Sequence, residues 1–258
     1  MEVSERVIKI VDDPLYNDVS KISKNNIIKE NIFENRYYLH TSPIPNHTNK
    51  NDLILFYHGS RDIAWTQVLE YTNFVDIAKS NNYIVAFGQS SGIINKPEIH
   101  PYYGDASFGE LYWEIRDTYP QFDEDLAYTE NIISNIKSKY EINNIYFIGH
   151  SNGGVFALLL ALYMPNTFTK IVSHMGGIGY DPAFYLDFSL LKNTDNKTPI
   201  LFYTGENDIH QKPCEFAREI FLGENFPIVD IYIEKNIGHE YLSTCEPYIL
   251  DWLMDLED

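Results

Sequence analysis

The chain has 258 residues, with 19 Lys and Arg against 37 Asp and Glu, giving a net charge of −18. Clustered cations are what give a protein nonspecific affinity for phosphates, so this balance argues against a nucleic-acid or anionic-membrane partner. At 44% hydrophobic and 22% charged residues it carries enough apolar side chain for a sizeable core, which excludes global disorder.

The first 50 residues are polar and rich in Asn, Lys and Ile, with strands expected at Arg6–Val11 and Ile32–Thr41 and a Pro-punctuated turn after them. Leu53–Tyr57 is then a continuous apolar run halted by His58-Gly59-Ser60, as a strand buried on both faces reads when it ends in a turn. From there strands and helices alternate. A helix is expected over Trp65–Lys79, a strand at Tyr83–Phe87, an irregular aromatic stretch at Gly92–Phe122, and a helix over Asp123–Tyr140. Ile142–Ile148 reads as a strand, Gly153–Tyr163 as a helix and Phe168–Val172 as a strand. Pro199–Thr204 (strand), Pro213–Leu222 (helix), Ile228–Ile233 (strand) and Tyr248–Leu256 (helix) complete the series. Such alternation predicts an α/β fold of one domain over 1–258: a mostly parallel sheet with helices on both faces, a core over 51–258 and an N-terminal edge segment over 1–50. In such sheets ligands bind beyond the carboxyl ends of the strands.

Cys214 and Cys245 lie in no metal-type spacing and read as free thiols, with a disulfide between them left open. The first residues lack the apolar core of a signal peptide, and the longest apolar stretch, Val155–Met164, falls short of the roughly 20 residues a membrane span needs. The expectation is a cytoplasmic protein without membrane insertion; the oligomeric state is left open.

The strand Ile142–Ile148 runs into Gly149-His150-Ser151-Asn152-Gly153-Gly154 and then an apolar helix, a GxSxG pattern in the strand–turn–helix context its chemistry requires. The serine sits on a tight turn with its hydroxyl clear of the sheet, and side chains at the flanking glycines would strike neighbouring backbone. Chance supplies about 0.04 such patterns in a chain of this composition, so Ser151 is read as a nucleophile.

A serine hydroxyl needs a base. His239, after the last expected strand, lies over the same sheet edge and is the candidate. Asp208, just past the strand Pro199–Thr204, is the candidate acid that orients the base, with Asp181 and Glu206 as alternatives. The order Ser151, Asp208, His239 is the one expected of α/β-hydrolases. Two backbone N–H groups are needed for the oxyanion, from Asn152 at the helix start and from the turn after the first core strand, where Ser60 is the better donor and Gly59 permits close approach. His58 and His150 lie inside the turn motifs and read as shaping them. His174 and Met175, after the strand Phe168–Val172, are candidates for lining a pocket, as are the aromatic side chains of Gly92–Phe122, among them Tyr102, Tyr103, Phe108, Tyr112, Trp113 and Tyr119. His58, Gly59, Trp113, His150, His174 and Met175 form the candidate substrate-binding set.

From Asn51 to Leu256 the chain resembles the α/β-hydrolase fold family. The acidic helix from Asp123-Glu124-Asp125 to Lys139-Tyr140, followed by Tyr146-Phe147-Ile148-Gly149-His150-Ser151-Asn152-Gly153-Gly154, resembles the polyhydroxybutyrate-depolymerase-like and feruloyl-esterase-like branch. The resemblance implies a serine esterase acting on small-molecule carboxylic esters, with Ser151, Asp208 and His239 as its triad. No metal or organic cofactor is expected. The short Gly177–Thr198 segment leaves no room for a large helical lid. The competing readings are a slow or non-catalytic ligand receptor on the same fold, and an acyltransferase, thioesterase or peptidase using the same nucleophile.

Overall fold

The computed structural model describes residues 27–32, 36–43, 50–60, 62, 64, 67, 71–90, 92–93, 111–116, 120–178 and 197–255. The expected strand Arg6–Val11, most of Gly177–Thr198 with Asp181, and Tyr102, Tyr103, Phe108 and Tyr119 lie outside them. Among the described residues the strands are β1 (Ile27–Ile32), β2 (Arg36–Thr41), β3 (Asn51–Tyr57), β4 (Tyr83–Gly88), β5 (Gly92–Ile93), β6 (Leu111–Tyr112), β7 (Ile142–His150), β8 (Lys170–His174), β9 (Ile200–Gly205) and β10 (Val229–Glu234). The helices are α1 (Phe74–Ser80), α2 (Pro120–Lys139), α3 (Asn152–Tyr163), α4 (Gln211–Gly223) and α5 (Glu246–Met254).

Eight strands form one sheet in the order β1-β2-β4-β3-β7-β8-β9-β10. β1 and β2 pair antiparallel and β2 joins β4 antiparallel; every pairing from β4 onward is parallel. Alternation along each strand divides the core in two, because successive side chains point to opposite faces. Leu53, Leu55 and Tyr57 of β3 join the cluster covered by α2, α3 and α4, while Ile54 and Phe56 join the cluster covered by α1 and α5. The helix α3 is buried along nearly all its length, which explains why it is apolar all round.

Three expectations need correction. Ile32–Thr41 is not one strand: Ile32 ends β1 and Arg36 begins β2, the two being paired in an antiparallel hairpin. The helix expected over Trp65–Lys79 is not continuous: Gln67 and Tyr71 are helical, Thr72 and Asn73 are not, and α1 begins at Phe74, with Asn73 giving its backbone N–H to the Glu246 carboxylate at both Oε1 and Oε2, 3.0 and 3.1 Å away. The stretch Gly92–Phe122 is not wholly irregular, since Gly92–Ile93 pairs with Leu111–Tyr112 and α2 starts at Pro120, a residue whose missing N–H costs nothing at a helix start.

The register brings the strand ends into line. Tyr57 sits beside Gly149, His150 beside His174 and His174 beside Tyr203. The loops that leave these ends carry the candidate chemistry.

Candidate active site

Ser151 stands between β7 and α3 with φ 52° and ψ −115°, a left-handed conformation unusual for a residue with a side chain. Two glycines make the turn possible. A Cβ on Gly149 would lie 2.0 Å from the Gly153 carbonyl oxygen, and one on Gly153 would lie 2.5 Å from that of Tyr57, both main-chain atoms with no room to yield. The Ser151 N–H donates to the His174 carbonyl at 2.8 Å, and its carbonyl accepts from Val155 N–H at 3.0 Å, so the turn is tied to β8 and to α3 at once.

Ser151 Oγ lies 2.8 Å from His239 Nε2, and His239 Nδ1 lies 2.9 Å from Asp208 Oδ1. The two contacts fix the tautomer: Nδ1 carries the proton and donates to the carboxylate, leaving Nε2 bare to accept from the serine. Asp208 Oδ1 also accepts the His210 backbone N–H at 2.8 Å, and Thr204 Oγ1 donates to Oδ2 at 3.3 Å. Burial works against the Asp208 charge, but the bonds from His239 and the His210 N–H outweigh it and hold its carboxyl below the ordinary value. The alternative acid Glu206 is exposed and accepts the Asn236 N–H at 3.1 Å, serving its own turn.

The base sits among other imidazoles. His150 stacks on His239 with ring centres 5.7 Å apart, and His210 approaches to 4.8 Å. Burial, and then the neighbouring His174 and His239, drive His150 well below the usual histidine range, while burial pushes His174 down to about 3 and His210 to about 4. All three are neutral rings at pH 7, with His150 and His210 against the base and His174 against His150.

A family model described as an α/β hydrolase of unknown function, DUF915, matches residues 114–170, spanning the acidic helix and the Ser151 turn. An uncharacterized hydrolase of Acanthamoeba polyphaga mimivirus is 30% identical over 245 residues, covering 86% of this chain and 76% of that protein. The chain belongs to the α/β hydrolases. Solved structures share the hydrolase fold at lower identity. A ferulic acid esterase matches with a TM-score of 0.66 at 13% identity over 88% of this chain and 96% of its own. The S-formylglutathione hydrolase of Agrobacterium tumefaciens gives 0.65 at 14% identity over 88% and 92% of the two chains. The fluorophosphonate-binding serine hydrolase FphF of Staphylococcus aureus gives 0.63 at 14% over 88% and 97%.

Four of the candidate substrate-binding residues, His58, Trp113, His174 and Met175, are buried. Trp113 is fully enclosed, its ring stacked 3.9 Å from that of Tyr57. His58 is buried with both ring nitrogens engaged, Nδ1–H donating to the Gly59 carbonyl at 2.7 Å and Nε2 accepting the Ser90 N–H at 3.2 Å. Met175 is buried, takes φ 54° and gives its N–H to the Tyr203 carbonyl at 2.6 Å. His174 is buried between the His150 ring and the Cys245 thiol, Sγ lying 3.7 Å from its Nε2. Gly59 lies against the elbow, the position of a Cβ there being 3.1 Å from Ser151 Cβ. Ser60 closes the β3 turn and is half-buried.

His210 went unread in the sequence although it stands two residues past Asp208; a histidine so close to a candidate acid was the available signal. Both cysteines are free and buried. Among the described residues, no cluster of three or more His, Cys, Asp or Glu is placed to hold a metal ion, and no helix is long and apolar enough to cross a membrane.

Proposed function

We propose that this α/β hydrolase cleaves small carboxylic esters through an acyl-Ser151 intermediate, with His239 as base, Asp208 as its orienting acid and the backbone N–H groups of Asn152 and Ser60 as the oxyanion hole. The observation that carries the reading is the unbroken line of hydrogen bonds from Ser151 Oγ to His239 Nε2 at 2.8 Å and from His239 Nδ1 to Asp208 Oδ1 at 2.9 Å.

In the first half-reaction Ser151 Oγ forms a bond to the ester carbonyl carbon while its proton passes to His239 Nε2, and the carbonyl oxygen takes up the displaced electron pair. The Asp208 carboxylate stabilises the imidazolium that results. The tetrahedral centre collapses, the C–O bond to the alcohol breaks, and His239 returns the proton to that alcohol. Water then repeats the attack on the acyl group, its proton going to His239 and finally to Ser151. The N–H of Asn152 opens α3, a helix of 12 residues whose dipole favours the developing negative charge.

Support from relatives is indirect but chemically consistent, since one solved neighbour is a ferulic acid esterase and another binds fluorophosphonates. The charge of −18 favours neutral over anionic esters at low salt. Hydrolysis of p-nitrophenyl acetate and butyrate by the wild type and by Ser151→Ala is the test. Activity that disappears with the hydroxyl supports the reading, and equal rates in the two proteins contradict it.

A further inference from the structure

We infer that Trp113 is a positioning residue of the oxyanion hole, acting through the Asn152 side chain and the His58 carbonyl without touching substrate. The inference rests on the esterase reading above and assigns within it a residue the triad does not contain.

The two proposed oxyanion donors belong to different segments, Ser60 to the turn after β3 and Asn152 to the start of α3, so their spacing depends on how turn and helix are held together. Trp113 bridges them. Its backbone N–H donates to Asn152 Oδ1 at 2.6 Å, and Asn152 Nδ2 donates back to the Trp113 carbonyl at 3.1 Å. Its indole Nε1–H donates to the His58 carbonyl at 3.0 Å. One residue is thus clamped by its main chain to the residue after the nucleophile and by its side chain to a residue two positions before Ser60.

Both ends of the bridge are fixed. The indole stacks on Tyr57 at 3.9 Å and 13° and lies near parallel to Phe156 at 5.6 Å. Tyr57 Oη and Thr129 Oγ1 are hydrogen-bonded at 2.8 Å, which anchors the stack to α2. The His58 ring satisfies the Gly59 carbonyl and the Ser90 N–H together only as a neutral Nδ1–H tautomer, and burial lowers its pKa to about 4, so that state holds at every pH of interest.

A consequence for Asn152 follows from donor and acceptor counting. With Oδ1 and Nδ2 both taken up by the Trp113 main chain, its amide serves the bridge, and its share in the oxyanion hole is its backbone N–H alone. Misplacement of a catalytic group by about 1 Å can cost on the order of 10²-fold in rate.

The test compares Trp113→Phe, which keeps an aromatic ring but removes the indole N–H, with Asn152→Ala, which removes the amide but keeps the backbone N–H. For each, kcat and KM on p-nitrophenyl butyrate are measured with Ki for an alkyl trifluoromethyl ketone. That probe adds reversibly to a serine: Oγ bonds to the ketone carbon, the proton passes to the histidine, and the resulting hemiketal oxygen occupies the oxyanion hole. The bridge predicts kcat lower by about 10–100-fold in each variant and Ki raised by a matching factor. KM stays within about twofold, the pH profile is unchanged because His239 and Asp208 are untouched, and the double variant loses little more than the worse single one.

Wild-type kcat and Ki in either variant, or losses that multiply in the double variant, would overturn the inference. If Trp113→Phe does not unfold cooperatively, Asn152→Ala decides alone: a fall in kcat and a rise in Ki at unchanged KM support the bridge, and wild-type values overturn it. Equal activity of wild type and Ser151→Ala would instead bring down the esterase reading, and the inference with it.

Discussion

The Nδ1 atoms of His150 and His174 lie 2.9 Å apart, a contact that exists only if one ring carries its proton there and the other does not. His174 is buried and His150 partly so, and His174 Nε2 faces the Cys245 thiol, which burial pushes up to about 12, so that it stays protonated. The residue before the proposed nucleophile is therefore one half of a neutral imidazole pair that also stacks on the proposed base.

That pair gives stability a defined pH dependence. His150 is faced by His174, His239, Asp208 and His210, and the balance of burial and charge lowers it far below the unfolded value near 6.5, as it lowers His174 to about 3. Between those values the unfolded chain binds more protons than the folded one, so the contribution is complete above about 6.5 and is lost as pH falls through the folded pKa. Thermal midpoints measured from pH 7 to pH 4 should fall steeply for the wild type. The slope should be shallower for His174→Gln, and identical slopes would contradict the account.

Glu246 predicts the opposite sign. Burial raises its carboxyl from 4.5 to about 7, against the opposing hydrogen bonds from the Asn73 N–H and the Tyr241 hydroxyl. The folded state then binds the extra proton between these values, and stability declines as pH rises from about 4.5 to 7. Glu246→Gln keeps an acceptor for both donors without the charge. It should be more stable than wild type at pH 8, by up to about 3 kcal/mol, and close to wild type at pH 5, in urea titrations at the two pH values.

Asp208→Asn tests the tautomer argument. An amide N–H facing His239 Nδ1 would move the imidazole proton to Nε2, which then could not accept from Ser151. With the fold retained, kcat should drop by about 10³–10⁴-fold while KM changes little. Retention of wild-type kcat would mean that the 2.9 Å contact between Asp208 and His239 has no part in the chemistry.

Gly153→Ala isolates the close packing of the elbow. Its Cβ would lie 2.5 Å from the Tyr57 carbonyl oxygen and 2.6 Å from that of His58, so α3 must move away from β3. A loss of about 2–4 kcal/mol is expected. By contrast, Gly223→Ala should cost little, because a Cβ there meets no atom within 4 Å. Equal thermal midpoints for the two variants would contradict this reading.

What the sequence made legible was the part governed by local pattern. Apolar runs ending in turn residues located β3, β7, β8 and β9, and GxSxG between a strand and a helix pointed to Ser151. The chain order of acid and base pointed to Asp208 and His239, which the sheet register brings to within hydrogen-bond reach. Side-chain contacts between segments were not legible. The composition that made Trp113 a candidate pocket residue does not show that its ring stacks on Tyr57. Nor does a position at a strand end show that His174 and Met175 are buried. The β1–β2 hairpin was missed because the break after Ile32 falls within a stretch that reads as continuous.

The central claim is that Ser151 is an activated nucleophile, and covalent labelling by a fluorophosphonate, with the adduct located by mass spectrometry, tests it most directly. The account predicts a single adduct on Ser151 that is absent from Ser151→Ala and forms far more slowly in His239→Ala. An intact protein that stays unlabelled, or an adduct on another residue with Ser151 unmodified, would contradict it.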